Sequence, residues 1–199
     1  TRPHRESGIG ATFAVDDSES GARYELQAFP ASLFEDKDQA AEFGERIRAW
    51  SVLDEECISK IHDVHVLDDG AVLLITAFPK GQSLRSWLKE NPRMSEGEAV
   101  CLASSLLEAM DRAHAHGLVH GDIKPAAIFF EPSTGGGCMV DPGITPAMWS
   151  AKHLGARTAL IGTPFYAPIE QFTGESPDDL ADLYNLATVL YELLTGVLP

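Results

Sequence analysis

Basic side chains are scarce: 15 lysines and arginines face 30 aspartates and glutamates, leaving a formal net charge of −15. A chain of that sign repels polyanions at long range and lacks the phosphate-neutralising face that nucleic acid binding requires, so nucleic acid is not an expected partner. Cysteine is nearly absent. The three present, Cys57, Cys101 and Cys138, are an odd number without paired spacing, which fits a reduced compartment better than a disulfide framework. Long apolar runs are missing as well: nowhere do about 18 consecutive apolar residues occur, the length a membrane-spanning helix needs. The first ten residues lack the apolar core of a signal peptide. These absences predict a soluble, cytoplasmic chain, or the cytosolic part of a longer membrane protein, with no membrane contact of its own. Internal repeats and low-complexity stretches are also lacking.

What remains is ordinary globular material, 44% hydrophobic and 23% charged over 199 residues. A chain this long buries roughly 70% of its unfolded surface, enough for one domain or a small two-lobed one. Its first third reads as short strands around one helix. Residues 13–15 and 24–29 are strand-like and flank an acidic turn; Phe43, Ile47, Trp50 and Leu53 then fall on one helical stripe across 38–53. Two further strands, 61–67 and 71–78, surround the turn Asp68-Asp69-Gly70. Helical spacing takes over afterwards. Ser83 is placed to cap a short helix, and Ser95 with Glu98 forms a capping box before a long one, whose Leu102, Leu106, Met110 and Ala113 share a side and which Gly117 ends. A last helix runs from about Ser176-Pro177 to Gly196 and reads as buried all round. Between the long helices, residues 119–175 read as irregular, with a loop at 134–137 between two short strands, and hold most polar groups capable of chemistry.

Three segments in that stretch carry the specific signal: His120-Gly121-Asp122-Ile123-Lys124-Pro125, then Asp141-Pro142-Gly143, then Gly162-Thr163-Pro164-Phe165-Tyr166-Ala167-Pro168-Ile169-Glu170-Gln171. In this order, and followed by Asp182 at the start of a helix, they resemble the catalytic, magnesium-binding and substrate-positioning loops of protein kinases. The resemblance is to bacterial Ser/Thr kinases of the eukaryotic type. It implies an α+β, protein-kinase-like bilobal fold: an antiparallel sheet with one helix over residues 1–78, and a mainly helical, incomplete lobe over 79–199.

The resemblance also assigns parts. Asp122 matches the carboxylate that accepts the substrate hydroxyl proton, and Lys124 the lysine beside the transferred phosphoryl group. Asp141 matches a magnesium ligand, but the second ligand, five positions after Asp122, is Ala127, a methyl group. The phosphate-binding lysine is replaced by Gln27, and an ungapped match sets Arg46 where its glutamate partner belongs. Gly8 and Gly10 remain of the glycine-rich loop, whose first two glycine places fall on Arg5 and Ser7. Glu25 replaces the alanine that roofs the adenine, and Phe129 the leucine beneath it. In the hinge, which includes Ala77, the residue whose N–H meets the adenine is Pro79, and proline has none. Alterations gathered along one cleft predict a pseudokinase: a regulatory or protein-binding module with impaired ATP and magnesium binding, hence no bound cofactor, and a protein as partner. The alternative is an unconventional but active ATP-dependent Ser/Thr kinase using ATP and magnesium.

Structural roles stand beside these. His120 is expected to brace the magnesium loop, Asp182 to tie the catalytic loop to the last helix, and Trp50 to lie in the core. The pairs His62/His65 and His114/His116 read as solvated. Gly121 occupies a place where many kinases carry an arginine that receives a phosphorylated loop. Thr158 and Thr163 remain possible acceptors of phosphate from another kinase.

Overall fold

The computed structural model describes residues 5–7, 9–152 and 165–199. Gly8, Thr158 and Thr163 lie outside the described residues.

The amino-terminal part is an antiparallel sheet in the spatial order β1-β2-β3-β5-β4, formed by β1 (Arg5–Ser7), β2 (Gly10–Asp16), β3 (Arg23–Phe29), β4 (Ile61–Val66) and β5 (Val72–Ala77). In β3 every second side chain is buried: Glu25, Gln27 and Phe29 share the inward face. Alternation is what a strand covered on one side requires, and here it delivers two polar side chains inward. Helix α1 (Lys37–Arg48) starts at Asp36, whose side chain accepts the Gln39 N–H, and buries Ala40, Phe43, Gly44 and Ile47. Phe43 packs edge-on against Phe29 at 5.0 Å between ring centroids, fastening the helix to the sheet. A 3-10 turn, Ala49–Val52, continues from α1 and buries Trp50, so the core placement of Trp50 holds.

The second part carries α2 (Leu84–Glu90), α3 (Glu96–Ala115), α4 (Ile144–Lys152), α5 (Ile169–Thr173), α6 (Asp179–Thr195) and a small sheet of β6 (Gln82–Ser83), β7 (Ile128–Glu131) and β8 (Gly136–Met139). The capping box expected of Ser95 and Glu98 is present. Leu102, Leu106, Met110 and Ala113 are buried along α3, which packs on α6 and β8.

Two differences from the sequence reading concern helices. The stretch read as irregular contains α4, starting directly after Asp141-Pro142-Gly143 and packed on α1. Its Pro146 lies in the first turn, where a missing N–H breaks no helical bond. Helix α6 is not buried all round. Ala181, Leu186, Val189 and Leu193 face the core, whereas Leu180, Leu183, Tyr184 and Leu194 are exposed. With apolar residues on every side, sequence cannot tell which stripe faces inward.

Candidate active site

The loop carrying His120, Gly121 and Asp122 is held from below. The Asp182 carboxylate, 1% exposed, accepts the backbone N–H of His120 at 2.8 Å and of Gly121 at 2.7 Å. It also accepts the His114 ring Nε2–H at 2.9 Å, which raises the imidazole above its ordinary pKa. His114 is therefore a buried-network member and not the solvated residue its position suggested. The Gln171 amide donates to the Gly121 carbonyl at 3.2 Å, adding a tie from α5.

His120 is 2% exposed and its Nε2 lies 3.0 Å from the Val140 carbonyl. A carbonyl only accepts, so Nε2 carries the proton and the opposite ring nitrogen, Nδ1, takes the Asp122 N–H at 3.4 Å. The ring thus connects the Asp122 loop to the segment entering Asp141. Val140 in turn donates its N–H to the Ala127 carbonyl, and Ala127 donates to Lys124. Asp122 and Lys124 form an ion pair, each side chain about one-fifth exposed. Asp141 has φ +63°, the only positive φ of a non-glycine among the described residues. Side chains favour this region least, although aspartate tolerates it better than most.

The roof departs from expectation at its centre. Gln27, 5% exposed, donates its amide to Asp141 Oδ1 at 2.5 Å. Arg46 is elsewhere: half-exposed, its guanidinium pairs with Glu42 at 3.1 Å one turn back along α1. The amide-to-guanidinium pair expected from the ungapped match does not form. Residues 40, 43, 44 and 47 set the inward stripe of α1, and position 46 falls off it at 100° per residue.

Glu25 is fully buried, between Ala14 on β2 and Thr76 on β5. Ala127, Phe129 and Val140 make a separate apolar cluster below, where the sequence put the pocket floor. In the hinge, Pro79 is buried and the backbone of Ala77 is engaged: its N–H donates to the Lys60 carbonyl at 2.9 Å, and its carbonyl accepts the Ser59 hydroxyl at 3.2 Å. Gly10 lies in β2, where a Cβ would come 2.8 Å from the Ala28 carbonyl; sheet packing is its evident requirement.

Two contacts had no signal in the linear pattern. The Trp50 indole occupies the space over Gly143, where an added Cβ would stand 2.1 Å from Nε1. The Tyr166 hydroxyl, in the third motif, donates to Glu192 at 2.5 Å on α6 and accepts from Arg85 at 3.3 Å on α2. Burial and the neighbouring carboxylate raise its pKa, so it stays a phenol.

The donor set decides what the cleft can hold. Magnesium takes hard oxygen ligands. Asp141 offers a carboxylate already engaged by Gln27, while Ala127 offers none. No group of three or more His, Cys, Asp or Glu capable of holding a metal occurs among the described residues. A nucleotide would meet Pro79 without a donor and Glu25 with a carboxyl group. Of the family's magnesium and nucleotide contacts, Asp141 keeps its carboxylate, while Ala127, Pro79 and Gln27 lack the oxygen, the N–H and the cation of the family pattern.

The comparisons match the motifs. Residues 8–199 match the family described as Protein kinase domain. The chain belongs to this family. It is 30% identical over 200 residues to the serine/threonine-protein kinase pkn3 of Myxococcus xanthus, covering 98% of this chain and 37% of that protein. It is likewise 30% identical to a probable serine/threonine-protein kinase PknB of Lactococcus lactis, covering 96% of the chain and 30% of that protein. The chain thus spans about a third of the length of these relatives. A solved structure of Rad53 residues 1–466 in complex with AMP-PNP superposes on the whole chain and 48% of that molecule, with a TM-score of 0.81 and 17% identity. That likeness concerns the fold. In this kinase domain, no helix among the described residues is long and apolar enough to cross a membrane.

Proposed function

We propose that this member of the protein kinase family works as a pseudokinase, a regulatory module that engages another protein through its folded surface and transfers little or no phosphate. One observation carries the reading. The side chain in the place of the phosphate-binding lysine is the neutral Gln27, and its amide occupies the Asp141 carboxylate. Ala127, Pro79 and Glu25 act in the same direction. Phosphoryl transfer relies on positioning and charge neutralisation, and losing one preorganised charge or donor typically costs on the order of 10² to 10³ in rate.

Thermal unfolding with and without ATP and magnesium tests it. A ligand at 100 times its Kd adds about 2.7 kcal/mol to stability, whereas one that does not bind adds nothing; millimolar nucleotide is therefore expected to leave the unfolding temperature of this pseudokinase unchanged. A clear, magnesium-dependent rise overturns the proposal. The Asp122–Lys124 pair supports a second reading, an unconventional active Ser/Thr kinase. Radiolabelled phosphate transfer that disappears in Asp122→Ala would decide for it.

A further inference from the structure

Two of the three cysteines, 81 positions apart in the chain, are neighbours in the fold. Ile58 pairs in parallel with Met139. The Met139 N–H donates to the Cys57 carbonyl and the Ser59 N–H to the Met139 carbonyl, each at 2.8 Å, the alternating bonds of a parallel pairing. Cys57 and Cys138 each stand one residue before that pair, on segments running in the same direction. Paired segments run about 4.8 Å apart and side-by-side residues point to the same side. This lies within the Cα separation of about 4.4–6.8 Å that a disulfide spans. Ile58 and Met139 turn into the core; Cys57 and Cys138 alternate with them and are both half-buried. The sulfurs also sense each other: a negative charge on Cys57 opposes ionisation of Cys138.

We propose that Cys57 and Cys138 form a reversible intramolecular disulfide, a redox-modification site joining the α1–β4 connection to strand β8. The oxidant is hydrogen peroxide. One thiol sulfur attacks a peroxide oxygen, breaking the O–O bond and giving a sulfenic acid and one water. The second sulfur displaces the hydroxyl, forming the S–S bond and a second water. The sulfurs lose two electrons in total, the peroxide gains them, and both thiol hydrogens leave in water. Of the two thiols, Cys57 is the one less strongly held protonated. Burial pushes the Cys138 thiol up to about 12. Cys57 is also raised by burial, but the Ser105 hydroxyl opposes that rise. Strand β8 leads through Val140 into Asp141, so the bond would fix the strand that delivers Asp141 to the segment following Trp50.

The test uses protein carrying Cys101→Ser, which removes the exposed thiol. After treatment with hydrogen peroxide, the intact mass is expected to fall by two hydrogens, a peptide map to join Cys57 to Cys138, and dithiothreitol to restore both. Adding either Cys57→Ser or Cys138→Ser is expected to cut the mass-shifted species at least tenfold. Because either substitution suffices, misfolding of one leaves the other decisive. Oxygen addition to the separate sulfurs without a linked peptide, or a link only between two molecules, overturns the proposal.

Discussion

The amide of Gln27 on β3 donates to the carboxylate of Asp141 at 2.5 Å, joining residues 114 positions apart across the cleft. Gln27→Lys would set a cation against that carboxylate while leaving Glu25, Pro79 and Ala127 unchanged. The variant is expected to keep the parent unfolding temperature or exceed it, and to show no added shift with ATP and magnesium. A nucleotide-dependent shift from this change alone would locate the whole obstruction at position 27.

His114 and Asp182 predict a pH dependence. The carboxylate's hydrogen bond, the largest influence, raises the imidazole in the folded state above its ordinary value of about 6.5. A raised folded-state value means the charged form stabilises the fold. The contribution is fully present below about pH 6.5 and fades as pH rises through the folded-state value. His114→Gln is therefore expected to lower the urea midpoint more at pH 6 than at pH 8.5. An equal loss at both would remove the charged hydrogen bond from the explanation.

Gly143 has φ +72° and faces the Trp50 indole. Gly143→Ala combines a left-handed backbone penalty of about 1–2 kcal/mol with an overpacking cost of about 1–3 kcal/mol. A destabilisation of about 2–5 kcal/mol by chemical denaturation, with a changed tryptophan emission, is expected. A loss under about 0.5 kcal/mol would contradict the contact.

The two faces of α6 separate by mutation. Leu186 is buried and Leu183 is 44% exposed. Leu186→Ala is expected to cost about 2–5 kcal/mol, and Leu183→Ser to stay within about 0.5 kcal/mol. Equal losses in denaturant titrations would mean that Leu183 is also packed.

What could be read in sequence was local. The loop from His120 to Pro125 and the turn at Asp141 are contiguous motifs, and the Ser95 capping box spans a single helical turn. Asp182 was legible as a brace because family resemblance fixes its place relative to that loop. The partner of Gln27 was not legible, because it follows from how β3 lies over the Asp141 turn. Arg46 went astray through an alignment without gaps that ignored the phase of α1, which Ala40, Phe43 and Ile47 settle. The neighbourhood of Cys57 and Cys138 follows from one parallel pairing between distant segments, and nothing in their spacing encodes it. Helix α4 was hidden by Pro146, which reads as a break until its first-turn position is known.

The left-handed backbone at Asp141 suits asparagine about as well as aspartate. An asparagine carbonyl oxygen would also receive the Gln27 amide, so the turn and its tie to β3 would survive removal of the charge. At this position, mechanical coupling of the sheet to the loop and attraction for a cation are separable properties, and only the second depends on the carboxylate.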